Sequence, residues 1–207
     1  VYQFIAEDTK RCVAKFYRPQ RWSRAQIQEE HDLSIELASY KIPVVAPLIC
    51  DKQSLHIYKD FYFALFPSSG GRQFEVDNLE HLEWMGRSIG RIHAVAKTRE
   101  FEHRPTMSVE GHLQIPLQEL QNSSLVPLGL HTAFFNILRQ VVDLASSLYV
   151  DTNNIRLNGD CHLGNILWHD GPTFVDLDDC RSGPSIQDLC MMLSGSRQQQ
   201  LIQIKTL

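Results

Sequence analysis

The chain has 207 residues, 43% of them hydrophobic and 21% charged, a composition that provides an ample core for one large domain or two small ones. Its formal net charge of −4 argues against a general nucleic-acid binder, because such proteins usually carry a basic face. No run approaches the ~20 apolar residues of a membrane-spanning helix, so we expect no membrane segment.

The first predicted element is a β-hairpin formed by residues 2–6 and 11–17. Lys15 lies in the middle of its second strand and shares a face with Val13 and Tyr17. A lysine there is either an edge residue with its stem along apolar surface or a charge held for an anion, and the local pattern favours neither. We interpret the basic residues of this region as a solvated face with one functional lysine: Arg11, Lys15, Arg18, Arg21 and Arg24.

A helix is predicted next, because Ser23 followed by Gln26 is a capping-box signature, and it should run to about residue 39. Its inward face carries three apolar residues, Ile27, Leu33 and Leu37. Glu30 interrupts that face, and a buried acid needs a cationic partner, for which Lys15 is the candidate. The alternatives are that Glu29 takes this role or that both acids are solvated.

Residues 67–71, Pro-Ser-Ser-Gly-Gly, are the best domain boundary in the chain. They divide it into an N-terminal part, residues 1–66, and a C-terminal part, residues 72–207. Three further strands are predicted before the boundary, at residues 48–50, 55–58 and 61–66. The boundary is either a hinge between two lobes or a plain linker.

Two long helices are predicted in the C-terminal part, at residues 78–96 and 132–150. Between them, residues 98–130 have no clear period, and we expect a loop with one helix at about residues 112–121. His93 is expected to be a packed, hydrogen-bonded histidine. The first helix should bury Leu82, Met85, Ile89, Ile92 and Ala96. The second should bury most of Phe134, Phe135, Leu138, Val141, Val142, Ala145 and Leu148.

Residues 155–179 contain the strongest functional signal. Short apolar runs precede Asp160 and Asp176, and Asp170 with Gly171 is a hairpin turn signal between them. We therefore expect two strand ends to present two carboxylates side by side.

Asn165 follows Asp160 by five residues, so its amide oxygen can face the same point as Asp176 and complete an oxygen cluster suited to Mg²⁺. A free Asp160 could then accept a proton from a hydroxyl attacking a phosphate, which indicates phosphoryl transfer. Weaker alternatives are turn capping by these residues, a nucleophilic Cys161, and a metal hydrolase that uses His162.

Residues 158–167 resemble the HGDxxxxNIL catalytic loop of aminoglycoside phosphotransferases and choline kinases, with Asn158 where that superfamily usually has His. Residues 175–179 resemble the metal-binding segment that replaces the DFG motif there. The chain as a whole is similar to the bacterial stress response kinase A family of Ser/Thr kinases. The stretches that carry this closer resemblance are 14–19, 29–31, 42–44, 176–179 and 183–189.

The resemblance implies a role for each motif residue. Asp160 would be the catalytic base, and Asn165 and Asp176 would hold Mg²⁺, with Asp176 also counted as catalytic. Lys15, paired with Glu30, would bind the phosphates of ATP. Backbone groups around Leu65 to Pro67 would meet the adenine, and Asp188 would brace the catalytic loop.

We therefore predict an α+β, protein-kinase-like bilobal fold, with a small antiparallel β-sheet lobe and a mostly helical lobe. Both ends look cut, within a strand at residues 1–5 and a helix at 198–207, and no glycine-rich loop precedes the first strand. Five cysteines without a CxxC pair favour reduced thiols in the cytoplasm.

The expected phosphate acceptor is a Ser or Thr hydroxyl of a protein, which includes the Ser and Thr residues of this protein itself. The alternatives are a small-molecule alcohol kinase and a non-catalytic nucleotide-binding module. The oligomeric state is left open.

Overall fold

The computed structural model describes residues 1–7, 9–149 and 153–207. Its N-terminal part is a four-stranded antiparallel sheet in the order β1-β2-β4-β3, with one helix, α1 (Arg24–Ser39). The strands are β1 (Tyr2–Ile5), β2 (Arg11–Phe16), β3 (His56–Tyr58) and β4 (Phe61–Pro67). The predicted N-terminal hairpin is confirmed, since β1 pairs with β2 and Tyr2 lies opposite Ala14. A strand at residues 48–50 is not formed; Cys50 makes only an isolated bridge to Gln53.

Helix α1 begins at its predicted cap, because the Ser23 side chain accepts the Gln26 N–H and the Gln26 side chain accepts the Ser23 N–H. Ile27 packs into a small core beneath the four-stranded sheet with Tyr17, Leu55 and Ala64. Leu33 and Leu37 pack instead into the larger core of the C-terminal part. The helix therefore contributes to both cores, which fixes Glu30 between them.

The C-terminal part is mostly helical, and its first long helix is α2 (Leu79–Ala96), capped by Asn78. All five residues predicted to be buried along this helix are buried. The predicted helix at residues 112–121 is confirmed as one π-helical turn, Glu110–Gln114, that leads into α3 (Ile115–Gln121). The other elements are β5 (Arg72–Gln73), α4 (His131–Leu148), β6 (Asn154–Leu157), β7 (Ile166–Trp168), β8 (Pro172–Phe174), β9 (Arg181–Pro184), α5 (Ile186–Cys190) and α6 (Arg197–Thr206).

The turn at Asp170 and Gly171 reverses the chain as predicted, but between β7 and β8. Strand β6, which leads to Asp160, pairs with β9 in a separate two-stranded sheet. Asp160 and Asp176 each follow the end of a strand, as predicted, but the two strands lie in different sheets and are not the two arms of the hairpin. The reason is that β7, formed directly after Asn165, occupies the position beside β8.

Helix α4 corrects one prediction about burial. Of the seven residues expected to be mostly buried, only Phe135 and Val142 are. Phe134, Val141 and Leu148 are 41%, 49% and 71% exposed. Apolar periodicity marks the face that prefers burial without showing how much of it finds a partner. The predicted end of this helix, Val150, lies outside the described residues.

An antiparallel sheet with one helix, followed by a mostly helical part, is the predicted α+β class. The lobe limits at residues 66 and 72 stay a prediction. In the described parts of the chain, no helix combines the length and the apolar character needed to cross a membrane.

Candidate active site

A cleft of about 270 Å³ lies where the four-stranded sheet meets the β7–β8 hairpin. Lys15, Asn165 and Asp176 all line it, so two distant parts of the sequence meet there. Pro67 lines the cleft, whereas Leu65 is not among its lining residues, and the Leu65 carbonyl accepts the Leu48 N–H at 2.7 Å. The apolar walls of the cleft are formed by Val13, Val45, Phe66, Leu167 and Val175. Of these residues, the sequence predicted only Phe66, which lies in the range assigned to the adenine.

Lys15 is the centre of the charge network at the cleft. Its Nζ donates to Asp176 Oδ1 at 2.7 Å and to Glu30 Oε1 at 3.3 Å, and lies 3.4 Å from Asp178 Oδ1. Burial works to lower the pKa of Lys15, but Glu30, Asp178 and Asp176 together outweigh it and raise the pKa above its ordinary value. The ammonium is therefore held charged at the edge of the cleft.

Glu30, and not Glu29, is the acid beside Lys15. It is 2% exposed; Oε1 faces Lys15 and accepts from the Tyr17 hydroxyl, while Oε2 accepts from Arg104 at 3.2 Å. Burial raises the pKa of Glu30 to about 7, although Lys15 and Arg104 oppose the rise. A carboxyl in this position changes its charge close to neutral pH.

This pKa predicts how the stability of the protein depends on pH. The pKa of Glu30 is raised from 4.5 to about 7 on folding, so the folded state binds more protons between those values. The contribution of Glu30 to the free energy of unfolding is therefore fully present below pH 4.5 and lost as the pH rises through 7. Urea unfolding of the wild type and Glu30→Gln between pH 4.5 and 8 should show a steeper decline in the wild type.

The matched control for that comparison is Glu83→Gln, which removes an exposed acid of α2 and should leave the wild-type slope unchanged. Equal slopes for the wild type and Glu30→Gln would contradict the prediction.

Asp160 and Asn165 are joined directly. The Asn165 side-chain amide donates to the Asp160 carbonyl at 3.0 Å and to Asp160 Oδ2 at 3.2 Å. The Asn165 carbonyl accepts the Val175 N–H at 3.0 Å, which ties the loop to the residue before Asp176. The loop that carries Asp160 is thereby linked to the segment that carries Asp176, although their strands lie in different sheets.

The same loop is braced from beneath by Asp188, which is 1% exposed. Its carboxylate accepts the backbone N–H groups of Asn158 at 3.1 Å and Gly159 at 3.0 Å. His93 Nε2 lies 3.0 Å from Asp188 Oδ2, so His93 is packed and hydrogen-bonded, as predicted. Asn158, which stands where the superfamily usually has His, accepts the Asp160 N–H through its side-chain oxygen at 3.1 Å.

Gly159 has no room for a side chain. Its φ is +81°, and an added Cβ would lie 2.2 Å from the Asp179 carbonyl oxygen. We expect Gly159→Ala to lower the free energy of unfolding by about 1–3 kcal/mol or more, because backbone strain and a backbone clash both oppose it. Gly90→Ala is the matched control: nothing lies within 4 Å of its added Cβ, so this helical position should gain up to about 1 kcal/mol. Chemical denaturation measures both, and equal stability of the two variants would contradict the prediction.

The residues present fit a hard divalent cation. Asp178 Oδ1 is buried and accepts no hydrogen bond from the described residues. Asp176, 51% exposed, lines the cleft and adopts a left-handed backbone with φ of +58°, a conformation that concentrates at functional sites. The amide nitrogen of Asn165 is used by Asp160, which leaves its oxygen for a cation. Carboxylate and amide oxygens are the ligands that Mg²⁺ prefers.

Two weaker hypotheses lose support here. Cys161 is 1% exposed, and burial, followed by Asp188 and Asp160, raises the pKa of its thiol well above its ordinary value, which disfavours a thiolate nucleophile. His162 lies with its Nε2 3.5 Å from Asp160 Oδ2, and its Nδ1 accepts the Gly164 N–H. Across residues 1–7, 9–149 and 153–207, His162 belongs to no metal-binding group of three His, Cys, Asp or Glu side chains.

Arg21 corrects the interpretation of the basic run. Its guanidinium binds both oxygens of Asp179, at 2.9 and 2.7 Å, and lies 3.5 Å from Asp178 Oδ2. A second residue of the run besides Lys15 therefore binds acidic side chains that follow Asp176, although it does not line the cleft. Sequence reasoning left Asp179 without a partner, because a pair separated by 158 residues leaves no local pattern.

The constellation of a paired lysine, a braced aspartate and a metal-suited oxygen set matches the parts used in phosphoryl transfer. The model of the phosphotransferase enzyme family matches residues 1–206, and the chain belongs to that family. Among curated proteins it is 46% identical to Stress response kinase A of Escherichia coli O157:H7 and 45% identical to the Serine/threonine protein kinase RdoA of Salmonella typhimurium. The chain aligns over its whole length and spans 63% of the length of each relative. The predicted resemblance is confirmed.

Solved structures confirm the predicted fold. An amicoumacin kinase in complex with AMP-PNP, Ca²⁺ and Ami superimposes with a TM-score of 0.76 at 20% identity, covering 92% of this chain and 59% of that one. Choline kinase LicA from Streptococcus pneumoniae gives a TM-score of 0.68 at 10% identity, covering 95% of this chain and 67% of that one. The chain therefore has the bilobal, kinase-like fold of these enzymes.

Proposed function

We propose that the protein transfers the γ-phosphate of ATP to Ser or Thr hydroxyls of proteins, with Mg²⁺ as cofactor. The observation that carries this proposal is that Lys15 pairs with Glu30 and reaches Asp176 at the edge of the cleft. Lys15 and Glu30 come from the N-terminal part of the chain and Asp176 from the C-terminal part. Packing alone would not require Lys15 and Asp176, from distant parts of the chain, to meet at a cleft.

Each residue has a distinct task in this reaction. Asp160 accepts the proton of the acceptor hydroxyl while the hydroxyl oxygen forms a bond to the γ-phosphorus of ATP. The bond between the γ-phosphorus and the oxygen that bridges to the β-phosphorus breaks, and ADP leaves. Lys15, held by Glu30, binds the phosphates. Asn165 and Asp176 would hold Mg²⁺, which neutralises charge on the phosphates when bound. The apolar walls around Phe66 and Pro67 would receive the adenine.

A protein acceptor is supported by the name of the Salmonella relative, a serine/threonine protein kinase that is 45% identical to this chain. A small-molecule acceptor is the second candidate, because structural neighbours at 20% identity or less include an amicoumacin kinase and a choline kinase. The closer similarity favours the protein acceptor.

The test is transfer of labelled γ-phosphate from Mg–ATP by the natural full-length protein. A generic protein substrate is supplied in one reaction, and a panel of small alcohols, including choline and an aminoglycoside, in another. Label on protein Ser or Thr, including that of the enzyme itself, is the expected result. Label only on a small alcohol would support the second candidate, and binding of nucleotide without transfer to either would contradict both.

A further inference from the structure

Arg104 is a buried cation that no motif of the sequence includes. Its side chain is 0% exposed, and it lies in the segment between α2 and the π-helical turn. Nη2 donates to Glu30 Oε2 at 3.2 Å, Nη1 to the Asp178 carbonyl at 2.6 Å, and Nε to the Gln26 carbonyl at 2.8 Å. The guanidinium carbon lies 4.3 Å from the centre of the Trp22 ring. One side chain therefore binds helix α1 and the segment that carries Asp176 at the same time.

Residues 102–104, which we call the strap, are themselves fixed to α1. The carboxylate of Glu29 accepts three backbone N–H groups of the strap at closest distances of 2.6, 3.0 and 2.7 Å. Gln26 adds a hydrogen bond from its side-chain amide to the His103 carbonyl at 3.0 Å. Glu29, which does not pair with Lys15, thus has a separate role: it holds the backbone from which Arg104 projects.

These contacts close a ring of charged groups around the cleft edge. Lys15 binds Glu30 Oε1 and Asp176; Arg104 binds Glu30 Oε2 and the carbonyl of Asp178, two residues beyond Asp176. A phosphate that binds Lys15 would share its ammonium with Glu30 and Asp176, and so would compete with the 2.7 Å contact to Asp176. Arg104 joins Glu30 to the segment containing Asp176 and Asp178 through groups that do not include the Lys15 ammonium, so this link does not depend on what Lys15 binds.

We propose that Arg104 is a positioning residue that fixes Glu30 relative to Asp176 and Asp178, so that Lys15 and the cation-binding oxygens keep their geometry when nucleotide binds. This inference rests on the proposed function. An arginine suits the role because its planar group donates in several directions at once, whereas a lysine at the same place reaches one or two acceptors. Loss of Arg104 also leaves the buried Glu30 with one fewer cation.

The test compares two buried arginines that both bind an acid of α1. Arg156 is 5% exposed, binds Glu36 Oε2 at 2.8 Å and donates to the Ala96 carbonyl at 3.1 Å. Unlike Glu30 and the Asp178 carbonyl, neither of these partners is hydrogen-bonded to Lys15 or belongs to the segment that carries Asp176. In the natural full-length protein, Arg104→Lys should raise the Kd of ADP with Mg²⁺ by about tenfold. Arg156→Lys should leave that Kd within about twofold of the wild-type value, although it should lower the thermal midpoint by about as much as Arg104→Lys does. Calorimetry and thermal unfolding give the two readouts.

Glu29→Gln is a second variant, which loosens the strap without touching the guanidinium and should raise the Kd in the same direction by less. Wild-type affinity in Arg104→Lys would overturn the inference, and so would an equal loss of affinity in both arginine variants, because that is the result of a general structural role. A wild type that binds no ADP with Mg²⁺ would instead contradict the proposed function, and the inference with it. The three results are distinguishable from one another.

Discussion

Replacing Asp160 by Asn is expected to lower kcat by about 10²–10⁴-fold, because Asn cannot accept the proton of the attacking hydroxyl. The substitution keeps the side-chain oxygen and the shape of the group to which Asn165 donates at 3.2 Å. The loop should therefore stay folded, and the Kd of ADP with Mg²⁺ should change by less than about threefold. Steady-state phosphate transfer and calorimetric binding, measured on the same preparation, separate the two effects.

The contrast between the two readouts makes this test specific to a proton-accepting role. A kcat within tenfold of the wild type would contradict a role for Asp160 as the base. A parallel loss of nucleotide binding would show that Asp160 supports the cleft and not the chemistry.

Replacing Asp176 by Asn is expected to reduce transfer by about 10³-fold, because the metal would lose a charged ligand worth several kcal/mol. Asn tolerates the left-handed backbone that Asp176 adopts, so the fold should be retained. Unlike Asp160→Asn, this variant should need a higher Mg²⁺ concentration for half-maximal activity. The measurement is initial rate against Mg²⁺ at fixed ATP.

Asp170→Asn is the matched control, since Asp170 also has a left-handed backbone, with φ of +52°, but its side chain is 96% exposed on a hairpin turn. It should retain wild-type rates and Mg²⁺ dependence. An Asp176→Asn protein with unchanged Mg²⁺ dependence would exclude Asp176 as a metal ligand.

The parts of the site that sequence reasoning identified are those encoded by short motifs. Asp160, Asn165 and Asp176 lie within 17 residues, with fixed spacing and distinctive side chains. Glu30 was found because an acid on an inward helix face contradicts the local apolar pattern and so demands a partner. In each case the signal is local, and the structure places Lys15 in contact with both Glu30 and Asp176.

The parts that were missed depend on contacts between distant segments. Arg104 lies in a stretch without hydrophobic period, and its five partners come from two other regions of the chain. The ion pair of Arg21 with Asp179 was missed because Arg21 belongs to a run of basic residues, and such runs usually form solvated surface. The sequence did contain a signal for one wall of the cleft. Val13 is two residues from Lys15 in the same strand, so its side chain lies on the same face of the sheet. The prediction for Leu65 comes from a range of backbone groups that the resemblance implies, and no local pattern shows that its carbonyl accepts the Leu48 N–H instead.

The strap also determines which pieces of the molecule can move together. Sequence order assigns residues 102–104 to the C-terminal part, yet their backbone N–H groups are held by a carboxylate of α1. Rigid-body rotation between two lobes leaves contacts within each body intact and breaks those between them. Any opening of the cleft must therefore either carry the strap along with α1 or break three charge-assisted hydrogen bonds at once. The predicted boundary at residues 67–71 therefore does not by itself determine with which lobe the strap would move.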